Sequence, residues 1–188
     1  MRNWKLERKG ADSHIVRHRN DSLHLTKARA TSIICEWNLW EKYYLPEFSL
    51  DGKTVLDVGA GCGETAYFYF LHGAKRVIAI EMDPVQVELL KRNSELNCWN
   101  NETRELIIIP RAFELEDLGT EKFDFAKIDI EGGEASLLKL DAIDFPVVLE
   151  VHGIELRKQL VQKFGLSILV KAIPLEDVWL LGNCLSPF

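Results

Sequence analysis

The segment that most constrains this chain is a short hydrophobic run that ends in three alternating glycines. The sequence VLDVGAGCGE occupies Val55–Glu64, and the residues after it have the composition of a helix. Glycine permits the positive backbone angles of a tight turn and lets the backbone come close to a ligand. A strand, such a turn and a helix form the first nucleotide-binding unit of a doubly wound sheet. The motif alone does not name the ligand, because dinucleotide enzymes use similar turns.

Strands and helices alternate along most of the chain. The pattern predicts strands over residues 54–58, 76–81, 106–109, 123–130 and 146–151, and helices over 27–45, 64–72, 84–96 and 154–164. Two adjoining strands, 166–173 and 178–181, close as a hairpin around residues 174–177. This alternation predicts a Rossmann-like, doubly wound α/β fold. We expect a mainly parallel seven-stranded sheet with one antiparallel strand near the C-terminus.

The first 50 residues have a different character. Residues 1–26 show no sustained period and are predicted to be irregular, with at most a short extended piece near Ser22–Leu25. The helix over 27–45 has aromatic residues at helical spacing, which indicates either core packing or a helix across the mouth of a cofactor pocket. We therefore predict an N-terminal arm and helix, residues 1–50, packed on a ligand-binding domain, residues 51–188.

The charge distribution is uneven, although the net charge of the whole chain is −6. Residues 1–30 contain eight Lys or Arg and three acidic residues. A basic arm on an acidic body would attract an anionic substrate or RNA, but a solvated tail is the simpler alternative. No apolar stretch approaches the roughly 20 residues of a bilayer span, and the N-terminus is charged where a signal peptide is apolar. We expect a cytoplasmic protein without a membrane partner.

Asp57 distinguishes between the ligands that a glycine-rich turn can hold. A pyrophosphate docked beside this carboxylate would be repelled by several kcal/mol, taking a separation of about 4 Å and an intermediate dielectric. S-adenosylmethionine instead has an ammonium and a sulfonium, which the carboxylate attracts. The spacing GxGxG also differs from the GxGxxG of nicotinamide-binding folds. The loop therefore favours a cationic adenosyl cofactor, S-adenosylmethionine.

A second acidic residue follows at the spacing expected for ribose recognition. Glu81 ends the strand predicted after the glycine loop, a little more than 20 residues downstream of it, where Rossmann-type folds place a carboxylate against the ribose hydroxyls. Met82 comes next and would lie against the adenine. The alternative for Glu81 is a surface acid, and for Asp83 a helix-capping role.

A group of acidic residues ends the strand predicted over 123–130. Asp129 and Glu131 alternate with isoleucines, so both side chains project to one side as long as the strand continues. Burying both carboxylates is costly without a partner, which points to Lys127 or to a cationic ligand. The alternative is a helix N-terminus, where Glu131 and Glu134 would interact favourably with the helix dipole.

These motifs resemble those of class I S-adenosylmethionine-dependent methyltransferases, and more narrowly those of FkbM-like methyltransferases. The general resemblance lies in VLDVGAGCG and the acid that ends the next strand. The narrower one lies in FAKIDIEGGE and in VVLEVHG, over residues 125–134 and 147–153. It implies methyl transfer, often to oxygen, and specific residue roles. The cofactor contacts that we expect are Asp57, Gly59, Ala60 and Gly61 at the methionine portion, Glu81 at the ribose, Met82 and Ala112 at the adenine, and Asp129 near the methyl group.

The acceptor side of the site is less specified by sequence. Asp129, Glu131 and His152 are the candidate general bases for a hydroxyl acceptor, because they come at the carboxyl ends of predicted strands. Asp129, Glu131, Glu150 and His152 would suit a metal in residue type, but no spacing demands one, so we predict none. We expect a small-molecule or sugar-like acceptor and O-methylation. The alternatives are RNA methylation through the basic arm, a cofactor-binding but inactive domain, and a nicotinamide-dependent oxidoreductase, which Asp57 disfavours.

Overall fold

A computed structural model describes residues 4–9, 13–120, 122–173 and 178–183 of the chain. The strands and helices in these ranges are numbered in chain order. The strands are β1 (Trp4–Lys9), β2 (His14–His18), β3 (Asp21–Leu25), β4 (Thr54–Val58), β5 (Arg76–Ile80), β6 (Glu105–Ile109), β7 (Phe125–Ile128), β8 (Val147–His152), β9 (Ser167–Ile173) and β10 (Val178–Gly182). The helices are α1 (Lys27–Tyr43), α2 (Glu64–Leu71), α3 (Pro84–Leu96), α4 (Asp117–Thr120) and α5 (Ile154–Phe164), with a 3-10 helix over Gly133–Lys139.

Seven strands form one sheet, in the order β6-β5-β4-β7-β8-β10-β9. Neighbours from β6 to β8 are parallel, whereas β10 is antiparallel to both β8 and β9. The predicted mainly parallel sheet with one antiparallel strand is confirmed. The strand order reverses between β4 and β7, and ligands of such sheets bind outside the carboxyl ends of the strands at this point.

The sheet is buried on both faces, because alternate side chains of each strand enter different cores. One core contains Val55, Phe125 and Val148 together with buried residues of α1, α2 and α3. The other contains Leu56 and Leu149 with residues of α5 and the 3-10 helix. The continuous apolar character of the central strands follows from this two-sided burial.

The prediction that residues 1–26 are irregular is wrong for the residues described there. Strands β1, β2 and β3 form a separate antiparallel sheet, and the predicted piece near Ser22–Leu25 is its last strand. Its buried side chains include Val16 and Leu23, which have no exposed surface. The strands are short and polar on one face, so the apolar period is too weak to detect without the helices that cover the buried face.

Asn93 of α3 ties this small sheet to the main domain. Its side chain accepts a hydrogen bond from the backbone N–H of His24 (2.7 Å) and donates to the carbonyls of His24 (2.8 Å) and Cys62 (2.9 Å). The Asn93 side chain is fully buried. It therefore connects β3 with the glycine loop through three hydrogen bonds.

Replacing Asn93 by alanine should lower the free energy of unfolding by about 3 kcal/mol. The variant leaves buried backbone groups of His24 and Cys62 without these partners, and each such loss costs about 1–3 kcal/mol. Urea unfolding of the variant and the wild type measures the difference. Asn38→Ala, at an exposed position of α1, is the control and should change stability by less than about 0.5 kcal/mol. An Asn93 variant as stable as this control would contradict the proposed tie.

The strand predicted over 123–130 is shorter in the structure, and this changes one expectation. β7 ends at Ile128, and Glu131 has a positive φ of 49°. Asp129 and Glu131 therefore do not continue the strand on one side as predicted.

The loop of the predicted terminal hairpin, residues 174–177, lies outside the described residues. The domain boundary after residue 50 stays a prediction. Among the residues described, no helix is both long and apolar enough to cross a membrane.

Candidate cofactor and acceptor site

A cavity of about 460 Å³ opens at the carboxyl ends of β4, β5 and β7. This volume is within the usual range for a small-molecule or cofactor pocket. Six of the residues singled out from the sequence line it: Gly59, Glu81, Met82, Ala112, Asp129 and Glu131. Asp57, Ala60, Gly61 and His152 are not among its lining residues. Six of the ten predicted site residues therefore lie in the wall of this cavity, and four do not.

Gly59 brings the glycine loop into direct contact with β7. Its φ is +73°, and a β-carbon at this position would lie 1.7 Å from the backbone oxygen of Asp129. Only glycine fits here, because both the backbone angle and the contact exclude a side chain. This close contact fixes the glycine loop against Asp129, the residue that follows β7.

Glu81 is held by backbone groups on the edge of the cavity. Its carboxylate accepts hydrogen bonds from the N–H of Gly61 (2.8 Å) and the N–H of Asp83 (2.9 Å). Asp83 also caps α3, since its side chain accepts from the N–H of Val85 at 2.7 Å. The glycine loop and the start of α3 thus hold Glu81 in the cavity wall, and its ribose contact stays a prediction.

The adenine end of the predicted site is formed by the loop after β6. Ala112 and Met82 both line the cavity, and Met82 is 71% exposed. Arg111 donates to the Ala112 carbonyl (2.8 Å) and forms an ion pair with Asp117 (2.5 Å). Hydrogen bonding to Arg111 lowers the pKa of Asp117. This ion pair orders the loop that contains Ala112.

Asp57 lies behind the glycine loop rather than beside the cavity, which corrects the position that the electrostatic argument gave it. Its side chain is fully buried, accepts a hydrogen bond from the Thr65 hydroxyl (2.5 Å), and lies 3.5 Å from the Lys127 ammonium. Burial raises the pKa of Asp57, although Lys127 and Thr65 act in the opposite direction. Asp57 therefore contributes to the site as the buried partner of Lys127.

Lys127 is the buried cation at the centre of this arrangement. Its ammonium donates to the carbonyl of Gly59 (2.8 Å) and lies 3.4 Å from Asp129 Oδ2. Burial alone would lower the pKa of Lys127, but the Asp129 and Asp57 carboxylates outweigh it and raise the pKa. Lys127 therefore stays charged and joins β4, the glycine loop and β7.

Asp129 has one carboxylate oxygen left for a ligand. Oδ2 faces Lys127, whereas Oδ1 is buried and accepts no hydrogen bond from any residue that the structure describes. A buried acceptor without a partner is rare and costly in a folded protein, so its natural partner is a donor in the cavity. The ammonium of S-adenosylmethionine is such a donor. With Gly59, Glu81 and Ala112 around the same cavity, the residues present fit this cofactor.

Arg29 lines the cavity, although its position in the sequence indicates only that it is part of the basic arm. It lies in the first turn of α1, with its Nε 3.4 Å from Glu64 Oε1 and 3.2 Å from Gln86 Oε1. Burial would lower the pKa of Arg29, but Glu64 and Asp129 together raise it. The first turn of α1 thus reaches the cavity, while Ile33 and Trp40 of the same helix pack in the core. The first turn of α1 therefore contributes to the cavity, and later residues of the helix pack in the core.

The two other predicted bases, Glu131 and His152, lie next to each other. Glu131 lines the cavity and is exposed, with its carboxylate 3.5 Å from His152 Nε2. His152 Nδ1 lies 3.4 Å from Glu134, a fully buried residue whose carboxylate accepts from the N–H of Ile130 and of Gly132. Glu134 therefore shapes the turn after β7. His152 is placed by two carboxylates and not by the cavity wall.

Glu150 and Tyr44 form a pair that the sequence pattern does not reveal. The Tyr44 hydroxyl, directly after α1, donates to Glu150 Oε2 at 2.9 Å. Burial raises the pKa of Glu150 to about 7, and the nearby Asp129 carboxylate adds to the shift. The two residues are 106 positions apart, so only the fold brings them together.

The fold and the cavity define a class I S-adenosylmethionine-dependent methyltransferase domain. The family described as the TRM5/TYW2 methyltransferase domain matches residues 28–121, half of the chain, and the chain belongs to this family. Its fold is similar to that of M. jannaschii TYW2 in complex with AdoMet, with a TM-score of 0.56 and 20% identity over 95% of this chain and 87% of that one. Aeropyrum pernix fibrillarin, with natively bound S-adenosyl-L-methionine, has a TM-score of 0.53 and 13% identity, over 95% and 97% of the two chains.

Sequence relatives with assigned functions are similar over shorter stretches. A Danio rerio tRNA wybutosine-synthesizing protein 2 homolog is 34% identical over 90 residues, which are 47% of this chain and 21% of that protein. The human electron transfer flavoprotein beta subunit lysine methyltransferase is 45% identical over 49 residues, 26% of this chain and 19% of that protein. The matched part is thus about a fifth of either relative. The narrower FkbM-like resemblance is not supported, because the family that matches is TRM5/TYW2.

Proposed function

We propose that this chain transfers a methyl group from S-adenosylmethionine to RNA. The observation that supports this most is the TRM5/TYW2 family membership over residues 28–121, together with the similarity to the Danio rerio tRNA wybutosine-synthesizing protein 2 homolog. Small-molecule O-methylation, expected from the FkbM-like resemblance, has no such support. The RNA alternative fits these similarities better.

The exposed cations near the N-terminus are compatible with an RNA acceptor. Lys5 on β1, Arg19 after β2 and Lys27 at the start of α1 are all exposed. Arg17 is also exposed but forms an ion pair with Glu7. Cations at a protein surface attract the phosphates of a nucleic acid in a salt-dependent manner. In this proposal the small N-terminal sheet contacts the RNA backbone.

The residues of the cavity bind and orient the cofactor, whose sulfonium supplies the reactive methyl group. Asp129 Oδ1 would accept a hydrogen bond from the ammonium of the methionine portion, and Arg29 would offer its guanidinium to the carboxylate. Glu81 would bind the ribose hydroxyls, and the loop at Ala112 would hold the adenine. Lys127 keeps Asp129 and the glycine loop in position through its contacts with Asp129 and the Gly59 carbonyl. Such alignment lowers the barrier of an in-line transfer by several kcal/mol.

The proposal is tested with S-adenosylmethionine that is isotopically labelled in the methyl group. The full chain is incubated with the cofactor and with RNA and protein fractions of a cell extract, and each fraction is treated with ribonuclease or protease. We expect label that ribonuclease releases and protease does not. Label in protein, or in neither macromolecule, would overturn the assignment to RNA.

Two aspartate variants make this experiment specific to the cavity. Asp129→Asn should abolish most of the labelling, because it weakens the acceptor that the cofactor ammonium requires. Asp141→Asn changes an exposed aspartate and should label RNA as the wild type does. Equal labelling by both variants would indicate that the cavity at Asp129 is not where the cofactor binds.

A further inference from the structure

A second polar group lies beside the cofactor cavity, on the face of the sheet that α1 covers. Lys127 of β7 pairs in register with Val148 of β8, so Asp129, two residues later, is level with Glu150. Tyr44 reaches the same place from the end of α1 and donates to Glu150 at 2.9 Å. Glu150 is half-buried, whereas its strand neighbours Leu149 and Val151 are in the core. Glu150 therefore keeps some exposed surface at the carboxyl end of β8.

We propose that Glu150 is the catalytic base that takes the proton from the methyl acceptor, with Tyr44 as the residue that positions it. This inference rests on the proposed group transfer from S-adenosylmethionine, but not on the acceptor being RNA. Asp129 lies 3.4 Å from the Lys127 ammonium and would also hold the cofactor ammonium, so it is a poor proton acceptor. Glu131 is exposed to solvent and paired with His152. Glu150 is level with Asp129, and its carboxylate accepts a hydrogen bond from the Tyr44 hydroxyl.

The transfer balances with Glu150 as the only proton acceptor. A lone pair of the acceptor atom forms the new bond to the methyl carbon, and the carbon–sulfur bond breaks with its electrons left on sulfur. The proton of the acceptor atom moves to the Glu150 carboxylate, which becomes a carboxylic acid and later releases the proton to solvent. A base is most effective when its pKa lies near the working pH, and the pKa of Glu150 is raised to about 7.

The charged and titratable groups around Glu150 determine the pH at which it acts. Burial raises its pKa most, and Asp129 on β7 adds to this, whereas Tyr44, Lys127 and His152 lower it. On the neighbouring strand β10, the residue paired in register with Glu150 is Leu180, which has no charge. The base must be deprotonated, so turnover should increase as the pH rises through about 7. Below this pH the protonated carboxyl cannot accept a proton.

The experiment compares Glu150→Gln and Tyr44→Phe with the wild type from pH 5.5 to 9. Turnover is measured with whichever fraction, RNA or protein, accepts the labelled methyl group. We expect Glu150→Gln to lose at least about 100-fold in kcat and the whole rise through pH 7, with S-adenosylmethionine affinity within about 3-fold of wild type. Tyr44→Phe removes the hydrogen bond that lowers the pKa of Glu150, so its rise should move to higher pH. A rise near pH 7 that persists in Glu150→Gln would overturn the proposal.

A second readout does not depend on the acceptor. With 13C-labelled glutamate, the carboxyl resonance that disappears in Glu150→Gln identifies Glu150, and it should titrate near pH 7 in the wild type and higher in Tyr44→Phe. A midpoint at the ordinary glutamate value, about 4.3, would contradict the proposal even if RNA is methylated. Glu88→Gln, at an exposed position of α3, is the control and should leave both readouts unchanged. Label in protein with the Glu150 results as expected would overturn the RNA assignment alone.

Discussion

Replacing Lys127 by methionine should lower the free energy of unfolding by about 3–5 kcal/mol. The change removes the only cation within ion-pair distance of Asp57 and Asp129 among the described residues, and both carboxylates are buried. Removing one partner of a buried ion pair leaves an uncompensated charge in a low-dielectric region, which costs about this much. Methionine has a similar length, so the loss reflects charge rather than a cavity. Urea unfolding followed by circular dichroism measures the difference.

The pH dependence of the free energy of unfolding of Lys127→Met independently checks why this variant is less stable. Burial already raises the pKa of Asp57 in the wild type, and loss of Lys127 raises it further. Because the folded-state pKa then lies above the unfolded value, the stability deficit should shrink as the pH falls towards about 4. The double variant Asp57→Asn/Lys127→Met should recover about 1–2 kcal/mol relative to Lys127→Met.

The control for this substitution is an exposed lysine. Lys139→Met, at an exposed position of the 3-10 helix, should change the free energy of unfolding by less than about 0.5 kcal/mol. If Lys127→Met were as stable as Lys139→Met at neutral pH, the buried cation would not hold the two carboxylates in place. The assignment of Lys127 as the link between β4 and β7 would then be wrong.

Replacing Gly59 by alanine should weaken S-adenosylmethionine binding at least about 100-fold, or about 2.7 kcal/mol. The new β-carbon would lie 1.7 Å from the carbonyl oxygen of Asp129, so the glycine loop or the end of β7 must move. Either movement changes the position of the glycine loop relative to Asp129, and both line the cavity. Isothermal titration calorimetry measures the affinity, and circular dichroism shows whether the variant is folded.

Gly52→Ala separates this contact from the cost of an unusual backbone angle. Gly52 has a φ of +72°, nearly that of Gly59, but a β-carbon there would meet no atom within 4 Å. It should lose about 1–2 kcal/mol of stability and keep wild-type cofactor affinity. If Gly59→Ala bound the cofactor as tightly as Gly52→Ala, the loop would not be in contact with the ligand site.

The sequence predicts the parts of the fold that local pattern determines. The hydrophobic runs of β4 and β5, the glycine turn and the proline at the start of α3 are all local signals, and the seven-stranded sheet follows from their alternation. The three N-terminal strands could not be predicted in this way. They are short, and their pairing depends on side chains such as Asn93 and Asn97, which are about 70 residues further along the chain.

The candidate site was predictable where a motif continues into the cavity and not where distant residues meet. Gly59, Glu81 and Asp129 end consecutive strands of the sheet, so their convergence follows from the topology. Asp57 lies on β4, the strand that leads to Gly59, but its side chain is fully buried beside the Lys127 ammonium and not in the cavity wall. Tyr44 and Glu150 carry no motif, and their contact exists only because the fold brings the end of α1 next to β8.

The central claim is that the cavity beside the glycine loop binds a cationic adenosyl cofactor through Asp129. Calorimetric titration of the purified chain with S-adenosylmethionine and, separately, with NAD tests it most directly. We expect one saturable site for S-adenosylmethionine, weakened in Asp129→Asn, and no measurable heat with NAD. Saturable binding of NAD, with S-adenosylmethionine unable to displace it, would contradict the account.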